Sequence, residues 1–186
     1  MKRDWLYILR NVLRYRWLRA YIDYTIARMI PLFVDGCVVA YGRLTAVKIH
    51  RDGAREDLGL LGVKSVTTAF VNFVVDQLQV ETSVFGDFKF HDSGVGTTAE
   101  NITDTIIETT DGESRATGTQ VEGASANIYK SVGTIAYTTT KAITEHGLFN
   151  DATAGTLMDR TVFTAVNVVN GDSIEFTYQL TVSAGG

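Results

Sequence analysis

Three histidines and the acids beside them are the residues of this chain best equipped for chemistry. His91-Asp92 and Glu145-His146 each set an imidazole next to a carboxylate, and His50 stands just before an Asp-Gly turn. His91 and His146 with Asp92 or Glu145 hold the donor types of a zinc site, imidazole nitrogen and carboxylate oxygen. Against that, neighbours on a strand point to opposite faces, so Glu145 and His146 cannot both reach one ion. The pattern favours structural histidines, and no metal is expected. The serines lack both a G-x-S-x-G elbow and a local His/Asp arrangement. Gly94-Val95-Gly96 fails as a phosphate loop because Ala99 stands where the third glycine belongs, so a strand-to-loop turn is expected. Asn150-Asp151 and Asn170-Gly171-Asp172 lack the spacing of a calcium loop. The latter reads as a hairpin turn. Cys37 is the single cysteine, which excludes an intrachain disulfide and a CxxC metal site. The chain is therefore read as non-enzymatic, with no cofactor and no small-molecule substrate.

Charge is divided more tellingly than chemistry. Residues 1–30 hold seven basic side chains against Asp4 and Asp23, a net +5; the whole chain is −4, so residues 31–186 carry −9. An acidic pI near 5.3 argues against nucleic-acid binding by the body of the protein. Arg10, Arg14, Arg16 and Arg19 interrupt the apolar N-terminal stretch. They argue against a signal peptide and against a membrane span, so a soluble product is expected.

The elements that would carry these residues fall into three segments. Residues 1–31 are a basic, aromatic arm that reads as one long helix over 4–30, ended by Pro31. On it Trp5, Leu6, Leu9, Val12, Leu13, Trp17, Ala20 and Tyr24 share a broad face, with Arg3, Arg10, Arg14 and Arg28 in a stripe beside it. Residues 32–84 read as two hairpins, turning at Asp35-Gly36 and Asp52-Gly53, plus a helix over 65–79. Residues 85–186 read as a β-sandwich or jelly-roll-like domain, with strands at 86–92, 115–121, 127–138, 141–149, 156–166 and 172–183. In the last of these the even positions from Ile174 to Leu180 should point inward. Residues 97–112 read as an exposed excursion with one helical turn. The predicted fold class is thus mainly β, a sandwich preceded by a long helix, two hairpins and one further helix.

The C-terminal half also resembles a group of small tailed-bacteriophage virion proteins. The resemblance is carried by Phe88 to Glu100, Ser114 to Gln120, Ile143 to Phe149, Leu157 to Phe163, Asn170 to Ile174 and the terminal Gly185-Gly186. Arg28-Met29-Ile30-Pro31 before a hairpin extends it into the N-terminal half. It implies a structural role in a virus particle assembled in the host cytoplasm, above all as a capsid decoration or cement protein. The partners implied are the major capsid protein or other virion proteins, with self-association into a homo-oligomer.

Aromatic residues and arginine favour protein interfaces, so Trp5, Arg10, Arg14, Trp17 and Tyr21 are the expected partner-binding anchors. Two alternatives stand beside this reading. One is a tail or fibre adaptor using the β-domain as a binding module. The other is a membrane-surface protein held by helix 1–30. Nucleic-acid and membrane partners are both disfavoured.

Overall fold

A computed structural model describes residues 38–78 and 87–183. The arm, the anchors Trp5, Arg10, Arg14, Trp17 and Tyr21, the first hairpin at Asp35-Gly36 and Cys37 lie outside the described residues. What is described is mainly β: two antiparallel sheets and one helix.

The described residues open with the second Asp-Gly hairpin expected from the sequence. Strands β1 (Val39–Ile49) and β2 (Arg55–Ser65) flank a turn in which Gly53 has φ 88° and the Ala54 amide donates to Asp52 Oδ1 at 3.0 Å. Helix α1 (Thr68–Gln77) follows. Its N-cap, Thr67, accepts from the Phe70 amide at 3.1 Å, and the same hydroxyl donates to the Leu157 carbonyl. One threonine thus starts the helix and fastens it to the opposite sheet.

The remaining strands are β3 (Phe90–Gly94), β4 (Ala116–Thr117), β5 (Thr119–Glu122), β6 (Ile128–Ala136), β7 (Lys141–Phe149), β8 (Leu157–Val168) and β9 (Ser173–Ser183). One sheet runs β2-β1-β9-β6-β5 and the other β4-β3-β7-β8. Strand β1 pairs with β9 from Val39↔Ser183 to Ile49↔Ser173, so the hairpin and the C-terminal strands share one sheet. The five-stranded sheet crosses the expected boundary near residue 84, while the four-stranded sheet lies wholly beyond it. Alternation along β9 is as expected: Ile174, Phe176, Tyr178 and Leu180 are buried. They meet Ile143, Leu148, Met158 and Phe163 of the other sheet in one core.

Three local expectations need correction. The strand placed at 115–121 is two strands in different sheets, divided at Gly118. The chain changes sheet there because its backbone passes directly over the His91 ring, where a Cβ would strike Nε2 and Ser131 Oγ. The turn Asn170-Gly171-Asp172 is tight, with Gly171 at φ 91°, yet it carries the chain from one sheet to the other and is no hairpin. Residues 97–112 contain no helical turn. They form an irregular loop that is exposed over much of its length but buries Ile107 and Asp111.

Candidate functional site

Four groups of polar or apolar side chains could serve function. The first is built on strand alternation. On β7, His146 and Leu148 face the core, while Glu145 and Gly147 face the 95–112 loop. Partner strand β8 follows suit, because Gly147 is paired with Arg160 and Leu148 with Asp159. Glu145 and Arg160 therefore meet on the outer face, beneath the loop.

Glu145 is fully buried and its carboxylate is saturated. Oε1 accepts from the amides of Gly96 at 2.9 Å and Thr109 at 2.8 Å; Oε2 accepts from the Glu108 amide at 2.9 Å and from Arg160 Nε at 2.7 Å. Arg160, with only 4% of its side chain exposed, spends its remaining donors on the same loop. It reaches Asp104 Oδ2 at 3.0 Å, Glu108 Oε2 at 3.3 Å and the Thr98 carbonyl at 3.2 Å. Gly94 and Gly96 make this possible. A Cβ at Gly94 would collide with the Thr109 carbonyl and one at Gly96 with Glu145 Oε1. The Gly-Val-Gly stretch is thus where β3 ends and the chain enters the loop, at a point of close approach that the sequence did not mark. The chemistry of the whole arrangement is retention: a carboxylate and a guanidinium hold both ends of a loop.

The histidines form the second group. His91 and His146 do come together inside the core, with His91 Nδ1 3.0 Å from His146 Nε2 and His91 Nε2 2.9 Å from Ser131 Oγ. Asp92 and Glu145 point away from them. Asp92 pairs instead with Arg115 Nε at 2.9 Å, and that guanidinium lies 3.4 Å from the centroid of Phe149. Among the described residues no cluster of three or more metal-ligating side chains occurs. Burial pushes the His91 imidazole down to about 3. Burial, then the neighbouring His91, holds His146 well below its ordinary range. Both rings are neutral at physiological pH. His50 lies apart, half-exposed and 3.3 Å from Glu56.

The third group lies at the edge where β2 meets β8. Lys64 pairs with Glu100, and Asp159 sits close by, accepting from Thr161 Oγ1 at 2.8 Å. Tyr178 Oη and Asp159 Oδ2 both crowd the bare backbone of Gly42, and neither has a hydrogen-bond partner among the described residues. Burial, reinforced by the Glu100 charge, pushes the Asp159 carboxyl up to about 7. A carboxyl held neutral in this way avoids the cost of a buried, unpaired charge.

The fourth is an apolar groove of about 530 Å³ between α1 and the paired ends of β1 and β9. Nothing in the sequence marked it, because its described walls come from six separate stretches of chain.

No protein-family model, no curated protein and no solved structure matches this chain.

Two predictions follow from these geometries. Breaking a buried ion pair from one side typically costs about 3–5 kcal/mol, so Arg160→Met and Glu145→Gln should each destabilise by about that much in urea unfolding. Because the two act as one unit, the double variant should cost less than the sum by roughly 1–3 kcal/mol. The second concerns pH. Below about 6.5 the unfolded chain protonates both histidines while the native state does not, so stability falls on acidification. Asp159 acts in the opposite sense, because between its ordinary value and about 7 the native state holds a proton that the unfolded chain has released. Asp159→Asn should therefore steepen the loss of stability between pH 6 and pH 4.5 (roughly), by about 1.4 kcal/mol per pH unit. Parallel stability curves for the two proteins would contradict this assignment.

Proposed function

We propose that the chain is a non-enzymatic structural protein of a tailed-phage particle, a β-sandwich capsid decoration or cement protein that bridges neighbouring shell proteins and self-associates. The observation that carries this reading is where the molecule spends its buried charge. Glu145, Arg160, Asp92 and Arg115 all fasten loops to strands. Arg115 alone ties β3 to the Asp151 and Ala154 carbonyls. Such use suits a body whose task is to keep its shape under load. The sequence resemblance points the same way, and the acidic balance over residues 91–186, four basic against twelve acidic, suits a solvated outer face.

In this reading the basic, aromatic arm grips the particle, with Trp5, Trp17 and Tyr21 as apolar anchors and Arg10 and Arg14 meeting acidic or carbonyl groups of a shell protein. A tail adaptor or fibre module is the second reading, since the same body could present its loops to a receptor. Among the described residues no helix is long and apolar enough to cross a membrane.

Deleting residues 1–31 should abolish incorporation into particles while circular dichroism of the purified variant keeps its β signature. Undiminished incorporation of a folded variant would overturn the anchoring role. Label over the tail instead of the head in immunogold microscopy would replace decoration by the adaptor reading.

A further inference from the structure

The groove beside α1 points to what covers it. Its walls are Phe70 and Val71 of α1, Val38 and Ala40 at the start of β1, and Val182 at the end of β9, over a floor that includes Phe88. Among the described residues every lining side chain is apolar except Tyr129, whose hydroxyl is turned to the Phe88 carbonyl. Val38, Val71 and Val182 are exposed to 74, 50 and 39%, a concentration of apolar surface that soluble proteins ordinarily cover or use.

Val38 is both a wall of the groove and the first described residue, so the preceding chain departs from the groove's own rim. Immediately upstream stands an unbroken apolar run, Met29-Ile30-Pro31-Leu32-Phe33-Val34, followed by Asp35-Gly36. Asp-Gly between apolar runs is the signal for a tight reversal. An extended chain covers at most ~3.5 Å per residue, and these residues are few enough steps from Val38 to span the groove without leaving it.

Other candidates fit less well. Residues 1–28 carry all seven arm cations, and among the described residues the groove offers no acidic side chain to meet them. Residues 184–186 are Ala-Gly-Gly, too small to fill it. Residues 79–86 are tethered at both ends and bring only Val80, Val84 and Phe85.

We propose that residues 29–34 turn back at Asp35-Gly36 and seat in the groove of their own chain. The groove is then the fixed point from which the basic segment 1–28 projects. The inference concerns the isolated chain and needs no particle, so it stands or falls separately from the virion reading.

The test places benzoylphenylalanine at Val71 in the full-length protein and mixes equal amounts of light- and heavy-isotope chains before irradiation. Mass spectrometry of the digest should show cross-links to peptides spanning 29–34, within chains of one isotope only. Phe33→Asp in the same background should abolish that cross-link while leaving the circular dichroism spectrum unchanged. Cross-links between light and heavy chains would overturn the proposal in favour of exchange between copies. Cross-links to 79–86 or to residues 1–28, or the absence of any cross-link to 29–34, would overturn it as well.

Discussion

The structure depends on one buried contact, the Glu145 carboxylate against the Arg160 guanidinium. Each is almost wholly removed from water, and each is costly to bury alone. Their pairing is stable because the loop surrounds both with partners: three loop amides complete the carboxylate, and the guanidinium donates to two loop carboxylates and a loop carbonyl. The 95–112 segment, with few apolar residues of its own, is thereby held to the β7–β8 face. A hydrogen bond from Thr144 Oγ1 to the Gly96 carbonyl at 2.6 Å closes the same end. Ile107 can then cover Phe149 and Leu157 in a small second core.

The main core shows the opposite strategy. There burial favours the uncharged form of the ionisable groups. His91 bonds to His146 and to Ser131, His146 Nδ1 has no hydrogen-bond partner among the described residues, and the His146 ring packs against Phe176 with 4.6 Å between ring centroids. Glycines at 118 and 133 leave room for the His91 ring. Asp159 keeps its proton near neutrality beside Tyr178. Charge is thus excluded between the sheets and concentrated under the loops, which gives a rigid body at the cost of tolerance to acid.

Much of this was legible in the sequence wherever it depended on neighbours along the chain. The Asp52-Gly53 hairpin, the helix after Thr67, the strand at 141–149 and the inward face of β9 all follow from turn chemistry and periodicity. So did the opposed directions of Glu145 and His146. Periodicity says which side of a strand a residue faces, but not what waits there. Nothing along the chain marked the roles of Arg115 and Arg160, because their partners lie on other strands and on loops of no regular pattern. The double role of Gly118, which divides one expected strand between two sheets, was hidden for the same reason. It answers to the His91 ring, which is remote in sequence. The apolar groove is the extreme case, its described walls assembled from six stretches of chain, and Val38 at its rim is also the first described residue.

Native-state hydrogen exchange at the amides of Gly96, Glu108 and Thr109 tests the central claim most directly, since protection reports the free energy of local opening. If Glu145 and Arg160 hold the loop as described, these three amides exchange as slowly as those of β7, and all three speed up together in Glu145→Gln. Exchange as fast as an unstructured loop in the wild-type protein would contradict the account, because the segment would then be resting on the sheet and not fastened to it.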